Sequence, residues 1–142
     1  MALYRIHSEV PADDAVKTWD NTTDPRTLVS AVFTFRVPVD TELFDSGLGG
    51  LLGVTEPLAA ALAATDLTGY RLVPATGEPS AYAAGASSWD IPTLYVLDVF
   101  GTPNVDDFAI RRGLVVSERA ADFLCKRDPA FAERAVGGRP GR

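Results

Sequence analysis

Residues 91–100 read Ile-Pro-Thr-Leu-Tyr-Val-Leu-Asp-Val-Phe. In an extended chain Leu94, Val96, Asp98 and Phe100 share one face, and Tyr95, Leu97 and Val99 share the other. Both faces are mainly apolar. Such a strand must be covered on both sides, so it belongs in the middle of a sheet and not at an edge. Asp98 is the exception in this run. A carboxylate buried there needs partners, and Arg36 and Arg111 are the candidate cations.

The segment that follows extends the pattern. Gly101-Thr102-Pro103-Asn104 is a turn, and Asp106-Asp107-Phe108 brings an acidic pair beside an aromatic ring. Arg112-Gly113 is a second turn, and Leu114, Val115 and Val116 form a short strand. Ser117 is placed to cap a helix running to about residue 127, with Ala120, Phe123 and Leu124 inward. Asp128-Pro129 is a fresh start signal for a last helix to about residue 136, before a flexible tail over 137–142.

The first half is more broken. Residues 3–7 alternate as a short strand, and residues 13–19 have the composition of one helical turn. The turn formers at 20–25 make a loop. Residues 28–37 are the clearest strand here, with Val29, Ala31, Phe33 and Phe35 on one face. Pro38 ends it. Residues 41–44 are ambiguous between states, and the glycines at 46–50 form a bend that lacks any phosphate-loop signature. Thr55 is the expected N-cap of a helix over 56–65, with Pro57 in its first turn and Gly69 as a left-handed terminator. Residues 70–73 make a strand. Residues 74–88, rich in Pro, Gly, Ala and Ser, read as a long loop. Val54-Thr55-Glu56, with Leu62 and Asp66, recurs sixty-two residues later as Val116-Ser117-Glu118, with Leu124 and Asp128. A shared way of starting a helix accounts for that echo better than a duplicated half.

Together these segments predict an α+β fold: a small, mainly antiparallel or mixed sheet with two to four short helices. The 142 residues fit a single domain over 1–136. That length suffices to bury a core, and 46% hydrophobic with 23% charged residues is ordinary for a globular chain. The formal net charge is -6, which argues against nucleic acid as a partner because phosphate binding wants a basic face. Residues 1–110 hold five Lys/Arg against fifteen Asp/Glu, and residues 111–142 hold eight against four. The longest apolar run, residues 58–64, is too short to span a membrane, and the N-terminal residues lack a signal-peptide core. One cysteine permits no internal disulfide. These features predict a cytoplasmic protein.

No catalytic constellation is visible. His7 is the sole histidine and sits on a predicted strand. Asp13-Asp14 and Asp106-Asp107 do not follow a calcium-loop spacing, and adjacent residues on a turn point apart. Cys125 precedes Lys126 and Arg127, cations of the kind that lower a thiol pKa, but a lone helical cysteine is ordinarily a packing residue. Neither a metal nor a cofactor is expected. Trp19 and Trp89, each next to an aspartate and near a loop, have the character of interface anchors or of core residues.

The segments Tyr95-Val96-Leu97-Asp98-Val99, Asp106-Asp107-Phe108 and Leu114-Val115-Val116-Ser117-Glu118-Arg119 resemble a family of small bacterial immunity proteins encoded near polymorphic toxins. Leu67-Thr68-Gly69-Tyr70-Arg71-Leu72-Val73 is similar to the helix exit and strand of that family. The resemblance implies a non-enzymatic protein that binds a protein partner, a toxin that it neutralises. It brings no catalytic residues with it. Trp89, Asp106, Asp107 and Trp19 are the candidate partner-binding residues. Two rival readings remain open: a small-molecule binder or small enzyme with a lid at 74–88 over Trp89 and the acidic pair, and a structural subunit of a larger assembly.

Overall fold

The structure, a computed structural model, describes residues 3–6, 8–48, 50–81, 83 and 89–128. In chain order these form β1 (Leu3–Arg5), β2 (Glu9–Asp20), β3 (Thr27–Phe35), β4 (Leu43–Ser46), β5 (Leu52–Thr55), α1 (Glu56–Ala63), β6 (Tyr70–Pro79), β7 (Leu94–Val99), β8 (Phe108–Ile110), β9 (Leu114–Ser117) and α2 (Glu118–Arg127). The α+β class holds. The last predicted helix, the tail, His7 and most of residues 82–88 lie outside the described residues.

The chain divides into two units. One comprises Glu9–Ala61 and Leu72–Asp98. Its strands close into a barrel in the order β2-β3-β6-β7-β5-β4, with β4 returning to β2. The pairings are mixed: β2 with β3, β4 with β5 and β5 with β7 are antiparallel, whereas β3 with β6 and β2 with β4 are parallel. Closure leaves no edge strand. It also gives β7 the central position its composition predicts, between β6 and β5.

The barrel interior pairs large with small side chains, as a narrow barrel requires. Phe33, Phe35 and Phe44 are fully buried, with ring centroids 5.0 to 6.1 Å apart. Two of these three contacts are edge-on, the favoured geometry for aromatic pairs. Ala12, Ala15, Ala31 and Ala75 occupy the remaining inward positions with Leu28, Val73, Leu94 and Val96. Gly53 sits opposite Phe44 on the paired strand, and the Phe44 ring fills the space a side chain would need.

Three expectations change here, and one ambiguity is resolved. Residues 13–19 are strand, because Asp14 to Trp19 pair along β3 from Thr34 to Leu28, a long-range pairing that overrides the local preference. Val29 is exposed, not inward: the β2–β3 register slips between Thr18/Ser30 and Trp19/Leu28, and the extra residue at this bulge reverses the face. Residues 74–79 continue β6 instead of starting a loop, with Val73 and Ala75 buried and Pro74, Thr76 and Glu78 exposed. Small residues are needed on its inner side because Phe35 and Ile91 close over Gly77. Residues 41–44, ambiguous in sequence, lead into β4.

The other unit comprises Met1–Ser8, Leu62–Arg71 and Val99–Arg142. It holds a three-stranded antiparallel sheet in the order β1-β9-β8, with α2 leaving directly from β9. Leu3, Phe108, Val115, Val116, Ala120 and Leu124 are buried. Gly69 does adopt a positive φ of 95°, but it does not end a helix, since α1 stops at Ala63. Its Cα lies against the Phe108 carbonyl and the backbone of Gly101, and its own carbonyl accepts from the N–H groups of Phe100 and Gly101. A close backbone approach therefore demands glycine at this position.

Both copies of the sequence echo are strand-to-helix junctions, β5 into α1 and β9 into α2. They solve the junction differently. Ser117 accepts the Ala120 N–H at 3.2 Å, a true cap. Thr55 does not cap: its buried hydroxyl has no hydrogen-bond partner, and the Glu56 N–H goes to the Thr93 carbonyl at 3.0 Å.

Candidate functional site

The densest polar cluster centres on Asp107. The register Phe108↔Val116 puts the preceding residue, Asp107, opposite Ser117, whose backbone N–H donates to the Asp107 carbonyl. The Ser117 hydroxyl donates to Oδ1 at 2.6 Å while serving as the α2 cap. Arg119, in the first turn of α2, donates from Nε to Oδ1 at 2.8 Å and from Nη2 to Oδ2 at 2.6 Å. Thr68 adds its backbone N–H to Oδ2 at 2.9 Å, and its hydroxyl accepts the Asp107 N–H. Arg119 also reaches Asp66, with Nη1 on Oδ1 at 3.0 Å.

The Arg119 guanidinium, helped by Ser117 and Thr68, holds the Asp107 carboxyl well below the usual carboxylate range despite its burial. Asp107 in turn raises the pKa of Arg119. A carboxylate offers about four acceptor positions, and this one has donors on both oxygens from its own chain. The arrangement fixes the strand–helix junction; its chemistry is that of a pin.

Asp106 and Asp107 part company. Asp106 accepts the Thr102 N–H on Oδ2 at 2.8 Å and stays half-exposed. Trp19 and Trp89 belong to the barrel unit, where both pack half-buried against the barrel core. The Arg26 guanidinium lies 4.1 Å above the Trp19 ring, a cation–π contact. Asp98 is half-buried on β7. Arg36, one of its candidate partners, pairs with Asp13 instead. The Cys125 thiol is pushed up by burial and by the Asp122 carboxylate, so the cations at 126 and 127 do not activate it. Among the described residues, no three His, Cys, Asp or Glu side chains gather as a metal site would require.

The barrel unit has a groove of about 410 Å³ between the start of β2 and the end of β3. Glu9, Val10, Pro11, Arg36, Val37, Pro38 and Asp40 line it. Its shape is set by the β2–β3 pairing. The Arg36 N–H donates to the Pro11 carbonyl, Arg36 Nη2 to the Val10 carbonyl at 2.8 Å, and Arg36 Nη1 to Asp13 Oδ1 at 2.8 Å. Sequence reasoning missed this groove because it took residues 13–19 for a helical turn. No signal in the chain pairs residues 9–11 with residues 36–40 until β2 is known to be a strand.

The charge is divided between the units. The barrel unit carries twelve Asp/Glu against three Lys/Arg, a net -9, and the other carries seven against ten, a net +3. Of the barrel's three cations, Arg36 is ion-paired and Arg26 stacks on Trp19. Among the described residues, no helix is long and apolar enough to cross a membrane. Comparison with known proteins finds no matching family model, no matching curated protein and no matching solved structure.

Proposed function

We propose that this chain is a non-enzymatic, cytoplasmic protein-binding domain whose partner presents a basic surface, and that it acts as an immunity protein neutralising a toxin. The observation that carries the reading is the barrel unit's net charge of -9. A surface of one sign steers a partner of the opposite sign and rejects like-charged ones. Toxins that act on nucleic acid need basic active sites, and an acidic domain is complementary to them. The resemblance at residues 95–99, 106–108 and 114–119 points the same way. Trp19 and Trp89 are the proposed contact residues of the barrel unit, and Asp106 is a separate candidate on the other unit. Asp107 contributes by holding the segment that carries Asp106.

The test is calorimetric titration of the purified protein with the candidate toxin encoded beside it, at two salt concentrations. The expected result is saturable binding whose affinity falls as salt rises. Absence of binding to any such candidate would overturn the reading.

A further inference from the structure

We propose that the outer face of β2, β3 and β6 docks an amphipathic helix of the protein partner, apolar along one stripe and basic at one end. This rests on the protein-binding reading above and names the surface and the element it receives.

Register builds this face. Ala15, Ala31, Phe33, Val73 and Ala75 are buried in the barrel core, so the residues that alternate with them point outward. Val16 pairs with Val32, and Val32 with Thr76. One step along the strands, Asp14 pairs with Thr34, and Thr34 with Glu78. One step the other way, Thr18 pairs with Ser30. Beyond the row that holds Asp14 and Glu78, the face therefore shows only uncharged, mostly β-branched side chains, on a unit of net charge -9. Val16 is 62% exposed, and Val29, the bulge residue beside Ser30, is 44% exposed.

The other three strands of the barrel behave differently. Phe44 and Val96 belong to the barrel core, with Gly53 between them, so Leu43 and Val54 point outward. Both are nevertheless fully buried. An apolar sheet face is stable when another layer covers it. That side of the barrel is covered, and the side of β2, β3 and β6 is open. Its size fits one helix. Three strands measure about 10 Å from first to last, which is one helix diameter. From the acidic row to Val29 the face runs about 17 Å, or about eleven residues of helix. A second copy of this chain is a poorer occupant, because the patch of roughly 200 Å² is about a quarter of what each side of a stable dimer interface buries. An added strand finds no edge on a closed barrel.

Charge fixes the chemistry and the direction of the helix. Asp14 and Glu78 are both exposed, and neither is ion-paired among the described residues. Asp14 accepts only the N–H of its neighbour Ala15, at 2.8 Å. Arg36, the next outward position on β3, is held by Asp13 and the Val10 carbonyl, and that ion pair adds no net charge. Lys17 alternates with Val16 and Thr18 and so lies on the inward side of β2. Two carboxylates thus stand at one end of the face, with no charge over the rest. A helix with an apolar stripe over Val16 and Val32 and cations at the end above Asp14 and Glu78 matches both parts, and an acidic end is repelled.

The experiment uses the full chain labelled with nitrogen-15 and three stapled, capped helical peptides of about eleven residues. All carry a leucine stripe; the last turn holds two arginines, two citrullines or two glutamates. The expected result is saturable amide shifts at Val16, Thr18, Val32 and Thr76 with the arginine peptide. Affinity should fall about tenfold with citrulline or in the Asp14→Asn/Glu78→Gln variant, and further with glutamate. Val16→Lys, at an exposed position, should abolish saturation by setting a cation under the apolar stripe. Asparagine keeps the acceptor for Ala15, and an unchanged spectrum elsewhere checks the fold of each variant. Equal binding of the citrulline peptide, shifts away from this face, no binding, or full binding by Val16→Lys would overturn the inference. Titrating Val16→Lys with the toxin separates the two claims. If it binds the toxin as the native protein does, the face assignment fails and the protein-binding reading stands. If the native protein binds the arginine peptide as expected but no toxin candidate, the helix-docking face stands and the immunity reading fails.

Discussion

Arg119 grips Asp107 with two roughly parallel hydrogen bonds, Nε to Oδ1 at 2.8 Å and Nη2 to Oδ2 at 2.6 Å. The carboxylate is buried, whereas the arginine side chain is 53% exposed. This fork geometry ties the start of α2 to the segment before β8. Replacing Asp107 with Ala strands the buried Ser117 hydroxyl and leaves Arg119 without its main partner. The expected loss is about 3 kcal/mol, the low end for breaking a buried pair, because the exposed arginine is screened by water. Urea denaturation at neutral pH measures it. Stability equal to the native protein would show that the cluster holds nothing.

The same carboxylate makes stability depend on acid. Its folded-state pKa is depressed, chiefly by Arg119, below the ordinary value of about 4. The native state therefore prefers the ionised form. The stabilisation is full above about pH 4 and is lost as pH falls below that toward the folded-state pKa. The urea midpoint of the native protein is expected to fall more steeply between about pH 4 and pH 2 than that of Asp107→Asn. Parallel profiles would assign the acid sensitivity to other groups.

Thr55 and Ser117 occupy matching junctions and should respond oppositely to loss of the hydroxyl. The Thr55 hydroxyl is buried and unpaired, so Thr55→Val keeps the shape and removes a desolvated group. A gain of about 1 kcal/mol is expected. Ser117→Ala removes a cap and a donor to Asp107, with a loss of about 1–2 kcal/mol. Thermal unfolding of the two variants should move in opposite directions. Destabilisation by Thr55→Val would reveal a hidden partner for that hydroxyl.

Gly53 leaves room for the Phe44 ring across the β4–β5 pair. Gly53→Ala forces the ring or the backbone aside in a closed barrel, which is expected to cost about 1–3 kcal/mol. Shortening Phe44 to Leu in the same chain should recover part of that loss. A double-mutant cycle reads the coupling, and strict additivity would mean that the two residues do not contend for space.

Much of the local structure was legible. Ser117 as a cap, α2 to Arg127, the Arg112-Gly113 turn and the short strand β9 all follow from neighbouring residues. Such features depend on capping, period and backbone freedom, which act over a few positions. The Asp107 cluster was half legible. The acidic pair drew notice, but Thr68 lies thirty-nine residues away and Asp66 fifty-three from Arg119. No local pattern links them.

What the sequence determined by itself is the α+β class, the central strand β7, the helix starts near residues 56 and 118 and the acidic balance. Each is a property of composition or of short-range periodicity. Only the tertiary structure decided that residues 13–19 and 74–79 are strands, that Val29 faces out, that Thr55 does not cap, and that residues 9–11 meet residues 36–40. The reason is closure. Joining six strands into a ring sets which segments must be extended, where a bulge must absorb a register slip, and where glycine or alanine must stand against a phenylalanine. Those demands come from partners far along the chain, and they override the weak local preferences of Asp, Pro, Gly and Ala.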